Sequence, residues 1–244
     1  MVHPKRFTLS RRLKRVILLV VAVVTIVGAA QAGSRAFDSE RAAMVARLRR
    51  QHITNPRVLD AMGKVPRHLF VGEARRAQAY EDAEISLGGG QVMSSPYVTA
   101  LMAQVLDPQP GARLLEVGTG SGYLSAVLSE ITPHVYTIDM RADLSKAAQA
   151  RLHSLKYEQV SFRSGNACRG WAQQGPFDGI VVNCAAEVVP EPLIAQLKNG
   201  GRLVIPVGQG PEQTLNCMRK SGGKLRCETV MSVRVSPMVC QHRH

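Results

Sequence analysis

The sequence predicts an α/β fold with a doubly wound, mostly parallel sheet of about seven strands. From residue 114 onward, short β-branched runs alternate with helical stretches, as in βαβ units that place helices on both faces of a sheet. The last two apolar runs flank a Gly-Gly pair, which indicates an antiparallel hairpin at one edge. The predicted strands are 114–117, 135–139, 160–163, 179–182, 202–207, 214–218 and 225–235, and the predicted helices between them are 121–131, 142–153 and 190–198.

Upstream of the sheet, residues 33–110 are expected to form a mostly helical N-terminal part. The stretch SERAAMVARLRRQHI repeats apolar residues at helical spacing among arginines, which indicates an amphipathic helix. Asn55 and Pro56 predict the start of a second helix over 57–63, because Asn is a good N-cap and Pro suits the first turn.

The positive charge is concentrated at the N-terminus. The chain has 244 residues, 45% of them hydrophobic, and a formal net charge of +13. Residues 1–50 hold 11 Lys and Arg but only two acids, so they carry +9 and leave +4 for the remaining 194 residues. No basic stripe is interleaved with aromatic residues, and we therefore expect one main domain that binds no nucleic acid.

Residues 1–32 are typical of an export signal or membrane anchor. Six Lys and Arg between positions 5 and 15 precede an uncharged run, 16–30, and Ala30-Gln31-Ala32 has the form of a signal-peptidase site. A bilayer span needs about 20 apolar residues, so this run fits a signal segment better. We expect an exported or membrane-anchored protein on the periplasmic side. The alternatives are a buried helix, or a cytoplasmic protein whose translation starts near Met44.

The cysteines predict no metal site. They form no C-x-x-C pair, which makes a zinc or thioredoxin-like site improbable. Cys217 and Cys227 flank Gly222 symmetrically, so a hairpin turn there would place them opposite each other. In an oxidising compartment they could form a disulfide, and in a reducing one they would be two small free side chains.

The stretch LLEVGTGSGYLSAVL predicts a ligand-binding turn between a strand and a helix. Gly118, Gly120 and Gly122 would let the backbone turn sharply and let a ligand approach the main chain, although a tight turn without a ligand would use them as well. The dinucleotide fingerprint would need glycine at position 123, which is Tyr, and neither a P-loop lysine nor a G-x-S-x-G elbow is present. Asp139 ends the next strand, where a carboxylate can accept hydrogen bonds from ribose hydroxyls.

This E-x-G-x-G-x-G loop followed by an acid resembles the class I S-adenosylmethionine-dependent methyltransferases, which have a Rossmann-like fold. The resemblance implies S-adenosyl-L-methionine as cofactor and 111–240 as the domain that binds it. Since that donor carries a positive sulfonium and no phosphate, an acidic loop suits it. The cofactor-binding residues that the resemblance implies are Glu116, Gly118, Thr119, Gly120 and Gly122 at the methionyl part, Asp139 at the ribose and Asn166 near the adenine.

Three further stretches resemble a narrower family, the protein-L-isoaspartate O-methyltransferases. They are VPRHLFVGEARRAQAYEDAEISLGGGQVMSSPY, PFDGIVVNCAAEVVPEPLIAQLKNGGRLVIPVG and VRVSPMV, and the likeness runs from about residue 44 to residue 240. It implies methyl transfer to the free carboxylate of L-isoaspartyl residues in damaged proteins, which is a protein-repair reaction. The expected partners are therefore proteins or peptides with isoaspartyl residues.

In that family the segment matching GGGQVMS binds the substrate carboxylate. The resemblance places the catalytic serine at Ser94 and the substrate-binding residues at Gly88, Gly89, Gly90, Gln91 and Ser95. A carboxylate is already ionised at neutral pH, so alignment and hydrogen bonds suffice and no strong base is needed. Alternatively Ser94 caps the helix that starts at Pro96, or the two roles are divided between Ser94 and Ser95.

The chain departs from the family at several of these positions. Gly89, Val92 and Met93 stand where His or Gln, Thr and Ile are expected, and Asn166-Ala167 replaces Asp-Gly. Two other functions therefore remain open. One is a related methyltransferase for another carboxylate or polar acceptor, and the other is a membrane-tethered binding protein that keeps the fold without catalysis.

Overall fold

The structure is a computed structural model that describes residues 37–240. The predicted leader, 1–32, lies outside the described residues; within them, no helix is both long and apolar enough to cross a membrane. The helices are α1 (Asp38–Arg50), α2 (Pro56–Lys64), α3 (Pro96–Leu106), α4 (Tyr123–Ser129), α5 (Ala142–Ser154) and α6 (Glu191–Ala195). The strands are β1 (Ile85–Gly88), β2 (Gln91–Met93), β3 (Leu114–Val117), β4 (Val135–Asp139), β5 (Ser161–Ser164), β6 (Phe177–Val182), β7 (Leu197–Val207), β8 (Gln213–Ser221) and β9 (Lys224–Val233).

Seven strands form one sheet in the spatial order β5-β4-β3-β6-β7-β8-β9. The first five strands in this order, β5, β4, β3, β6 and β7, run parallel to one another. Strand β8 is antiparallel to both β7 and β9. This arrangement confirms the predicted doubly wound sheet with an antiparallel C-terminal edge. The chain order reverses at β3, which lies between β4 and β6, and ligands of such sheets bind where the strand order reverses.

The central strands are apolar because both faces of a parallel sheet are covered. Every residue of β3 is buried, and Leu115, Val117 and Ile180 belong to the main hydrophobic core. The predicted bounds of β3 and β4 are those observed. The predicted helix 190–198 is shorter, because Leu197 pairs with Phe177 and the chain joins the sheet at that point.

The predicted cap of the second helix is confirmed. The side chain of Asn55 accepts hydrogen bonds from the N–H groups of Arg57 and Val58. At α3 the capping residue is Ser95, whose Oγ accepts from the N–H of Val98 at 3.3 Å. Of the two serines before Pro96, Ser95 is therefore the one that caps the helix.

The expectation that Cys217 and Cys227 lie opposite each other is wrong, and of the two alternatives for them the structure has the free side chains. The turn between β8 and β9 is Gly222-Gly223, so Cys217 lies opposite Glu228, and Cys227 lies opposite Met218. Because side chains of a strand alternate between faces, this shift of one residue places the two cysteines on opposite faces of the hairpin. Both are free thiols, and the disulfide joins Cys168 to Cys240 with a Cα–Cα distance of 5.6 Å.

We predict that peptide mapping under non-reducing conditions finds one intramolecular cross-link, between Cys168 and Cys240. The Cα–Cα distance of 5.6 Å lies within the 4.4–6.8 Å that a disulfide spans, whereas the side chains of Cys217 and Cys227 lie on opposite faces of the β8–β9 hairpin. A Cys240→Ser variant serves as the control and should yield only free thiols. A linked peptide pair containing Cys217 and Cys227 would contradict the strand register.

Candidate active site

A cleft lies at the carboxyl ends of β3, β4 and β6, where the strand order reverses. The residues that follow these strands line it: Gly118, Gly120, Asp139, Met140, Arg141, Asn183 and Cys184. Its other walls are Gln91, Val92, Ala167 and the C-terminal residues 236–239. A larger cavity of about 630 Å³ lies at the amino ends of β3 and β6, but ligands of parallel sheets bind at the carboxyl ends. The cleft of about 100 Å³ is therefore the candidate site.

The three predicted loop glycines serve two purposes. Gly118, Gly120 and Gly122 have φ of +92°, +51° and +84°, a region that favours glycine. Gly118 and Gly120 line the cleft. Gly122 caps α4 instead, and a Cβ there would lie 2.5 Å from Leu152 of α5, so this glycine permits the two helices to pack closely.

Asp139 forms the polar wall of the cleft. Its Oδ2 accepts a hydrogen bond from the N–H of Gly120 at 3.0 Å, and its Oδ1 accepts from the N–H of Arg141 at 2.9 Å. These bonds fix the carboxylate at the ends of β3 and β4. A carboxylate has about four acceptor positions, so Asp139 can still accept hydrogen bonds from the hydroxyls of a ligand.

Glu116 lies beneath the glycine loop and is fully buried. Its Oε2 accepts a hydrogen bond from the hydroxyl of Ser125, while Oε1 has no hydrogen-bond partner among the described residues. Burial raises the pKa of Glu116 to about 8, and the negative charge of Asp139 adds to the shift. An unpartnered acceptor in this position fits a ligand that brings a positive charge to the loop.

Two other predicted cofactor residues have local partners. The hydroxyl of Thr119 is buried and lies 2.7 Å from that of Thr137, so it links the glycine loop to β4. The side chain of Asn166 accepts from the N–H of Cys168 and caps the short 3-10 helix Ala167–Arg169. Neither residue lines the cleft, whereas Ala167 does.

The predicted acceptor loop is a β-hairpin whose tip leans toward the cleft. Gly88 pairs with Gln91 across a two-residue turn, and Gly89 and Gly90 have φ of +59° and +75°, as a type I′ turn requires. The turn geometry thus explains why Gly89 and Gly90 are glycines, independently of any contact with a substrate. Gln91 lines the cleft, while Ser94, which directly follows β2, is 7% exposed and is not among the residues that line it.

A buried arginine joins the hairpin to the glycine loop. The guanidinium of Arg67 is fully buried and donates to the carbonyls of Ala79 at 2.7 Å and Ser94 at 2.6 Å. It also lies over the ring of Tyr123, the first residue of α4, at 4.6 Å. Desolvation lowers the pKa of Arg67. Arg67 therefore fixes the position of Ser94 relative to the loop that follows β3.

Sequence reasoning missed several residues of the cleft. Met140, Arg141, Asn183 and Cys184 directly follow β4 and β6, so the rule that ligands bind at carboxyl ends of strands could have found them. Residues 236–239 follow no strand of the parallel part of the sheet, so that rule could not have found them, although the family resemblance includes them. The disulfide holds them in place, because it follows Ala167 on one side of the cleft and Val239 on the other.

Comparisons with known proteins agree on one family. A family model described as "Protein-L-isoaspartate(D-aspartate) O-methyltransferase (PCMT)" matches residues 39–243. The protein-L-isoaspartate O-methyltransferase of Roseiflexus castenholzii is 44% identical over 206 residues, which cover 84% of this chain and 94% of that protein. The protein-L-isoaspartate O-methyltransferase 2 of Nitrosococcus oceani is 44% identical over 187 residues, which cover 76% of this chain and 85% of that protein.

Solved structures share the fold. A Plasmodium falciparum protein that was crystallised with S-adenosyl-L-homocysteine superposes with a TM-score of 0.71 at 24% identity. The superposition covers 82% of this chain and 98% of the other.

We predict that Glu116→Gln changes how stability depends on pH. Because the pKa of Glu116 is raised in the folded protein, the folded state holds a proton that the unfolded chain has released between about pH 4.5 and about pH 8. The wild type should therefore lose stability relative to the variant as pH rises through this window, by roughly 1 kcal/mol per pH unit. Urea unfolding at several pH values measures it.

The control for this experiment is Glu228→Gln, which removes an exposed carboxylate from β9. Its free energy of unfolding should run parallel to that of the wild type across the same pH range. If the free energy of unfolding of Glu116→Gln also runs parallel to that of the wild type across this pH range, Glu116 is ionised in the folded protein.

Proposed function

The chain belongs to the protein-L-isoaspartate(D-aspartate) O-methyltransferase family, and on that premise we propose which of its residues carry the reaction. The reaction is S-adenosylmethionine-dependent methylation of the free carboxylate of L-isoaspartyl residues in damaged proteins, which serves protein repair. The observation that carries this assignment is the family match over residues 39–243, because it spans both the cleft and the hairpin beside it.

The donor side consists of the glycine loop and two acids. S-adenosylmethionine supplies a methyl group on a positively charged sulfur. Gly118 and Gly120 would allow close approach of the main chain, Asp139 would accept from the ribose hydroxyls, and Glu116, whose Oε1 is unpartnered among the described residues, would lie near the positive methionyl part. Ligands of this size usually occupy about 300–1,000 Å³, so binding requires the walls of the narrow cleft to move apart.

The acceptor side is the hairpin. The N–H groups of Gly88, Gly89 and Gly90 at its tip, together with Gln91, bind the substrate, and Ser94 orients its carboxylate. Ser94 is well suited to a fixed role because Arg67 holds its carbonyl. The transfer then depends on alignment of a carboxylate oxygen with the methyl carbon and the sulfur, and no side chain needs to remove a proton.

The acceptor is tested with a synthetic isoaspartyl peptide and labelled donor. We expect base-labile methyl ester on the isoaspartyl peptide and only background label on the same peptide with normal aspartate. If neither peptide is labelled while the protein binds the donor, the binding-protein alternative is correct. Label on a different acceptor in an envelope extract would instead support the related methyltransferase.

Two serine variants separate the roles at the end of β2 within the same assay. Ser94→Ala should lower kcat/KM for the peptide with little change in the unfolding midpoint, since its hydroxyl is assigned to the substrate. Ser95→Ala removes the N-cap of α3 and should cost about 1 kcal/mol of stability. The reverse pattern would assign the substrate to Ser95.

We also propose that residues 1–32 direct export. Support comes from the basic cluster, the apolar run and the Ala30-Gln31-Ala32 site, and from the Cys168–Cys240 disulfide, since disulfides persist mainly in oxidising compartments. The alternative start near Met44 would remove the first six residues of α1, which begins at Asp38.

An alkaline phosphatase fused after residue 40 tests the location. We expect activity from the full leader and none from a fusion that lacks residues 1–32, because the enzyme folds only outside the reducing cytoplasm. An inactive full-length fusion that accumulates in the cytoplasm would support the cytoplasmic alternative.

A further inference from the structure

We propose that Arg141 binds the carboxylate of the acceptor and that Gly89, which the turn already requires, also leaves room for the guanidinium. This inference rests on the proposed function and adds a specificity residue that lies outside the predicted acceptor loop. Arg141 follows Asp139 at the end of β4 and lines the same cleft as Gln91 of the hairpin.

The distance between the hairpin tip and this arginine is the main observation. A Cβ at position 89 would lie 3.2 Å from Nη1 of Arg141 and 3.9 Å from Nη2. The guanidinium thus occupies the space that a side chain at position 89 would enter. Where the family has His or Gln, this chain has Gly89. The guanidinium of Arg141, which follows β4, therefore takes the place of a polar side chain from the hairpin.

The orientation of the guanidinium leaves one edge for a ligand. Nε and Nη2 of Arg141 donate to the two carboxylate oxygens of Asp143, at 3.3 and 2.7 Å. Nη1 is the nitrogen nearest Gly89. The side chain of Asp143 is 66% exposed and that of Arg141 is 40% exposed, and an ion pair so open to water contributes little. A substrate carboxylate can therefore share the guanidinium or displace Asp143.

The charge of the cleft makes such a cation necessary. Asp139 lines it, so an anionic substrate enters beside a carboxylate that is fixed in the wall. Arginine is the side chain that suits this task, because its planar donors match the two oxygens of a carboxylate. Held at one oxygen by Arg141, the substrate can present the other oxygen to the donor.

The first test compares peptide kinetics across variants of Arg141. Arg141→Ala should raise KM for the isoaspartyl peptide about tenfold or more, with KM for the donor and kcat within about twofold of the wild type. Arg141→Lys should recover part of this loss. Arg75→Ala is the matched control, since it removes an exposed arginine whose side chain hydrogen-bonds Gln78 within residues 37–240, and it should leave both KM values unchanged.

The second test introduces a side chain at the hairpin tip. Gly89→Gln should raise KM for the peptide in the wild type and have a much smaller effect in Arg141→Ala, because the two changes act on the same contact. Gly222→Ala in the turn between β8 and β9 is the control and should leave KM for the peptide unchanged. Its φ of +56° imposes a similar backbone strain, and its Cβ would meet no atom within 4 Å.

A binding measurement separates this inference from the proposed function. In the presence of S-adenosylhomocysteine, the wild type should bind the isoaspartyl peptide about tenfold more tightly than its isoasparaginyl amide, and Arg141→Ala should lose that preference. Peptide methylation with the carboxylate preference intact in Arg141→Ala would overturn the role of Arg141 while the function stands. A preference that depends on Arg141 without any methylation would overturn the function alone, and no binding of either peptide would overturn both.

Discussion

The buried guanidinium of Arg67 is the contact on which the geometry of the site depends. A charged group taken out of water is costly unless it is paired. Nε and Nη2 of Arg67 donate to the carbonyls of Ala79 and Ser94 and the guanidinium lies over the face of Tyr123, while Nη1 has no hydrogen-bond partner among the described residues. Ser94 ends the hairpin and Tyr123 begins α4 after the glycine loop. One side chain therefore joins the end of the hairpin to the helix that follows the glycine loop, the two parts proposed to hold the acceptor and the donor.

Electrostatics divides the cleft into two halves. The half assigned to the donor holds the carboxylate of Asp139, which two backbone N–H groups fix, above the buried Glu116, whose raised pKa keeps it largely protonated at neutral pH. A sulfonium donor suits such a site, whereas a carboxylate acceptor does not. The proposed role of Arg141 resolves this conflict, because it places a positive charge between the acidic half and the hairpin tip.

The sequence predicted the donor half better than the acceptor half. Gly118 and Gly120 with Asp139 could be recognised because they follow predicted strands whose carboxyl ends form such sites. The hairpin was expected only as a glycine-rich loop. Its type I′ turn, and the division of Ser94 and Ser95 into a buried residue and a helix cap, depend on pairing between β1 and β2, which no local pattern revealed.

The sequence by itself determined the fold class, the bounds of β3 and β4 and the positions of the tight turns. These are local properties, since strands covered on both faces must be apolar and turns with positive φ favour glycine. Only the tertiary structure decided the faces of Cys217 and Cys227, the bond between Cys168 and Cys240, and the contact of Arg67 with Ser94. The faces of the two cysteines depend on strand register. The disulfide joins residues 72 positions apart and Arg67 contacts a residue 27 positions away, and no local sequence pattern indicates contacts between residues so far apart in the chain.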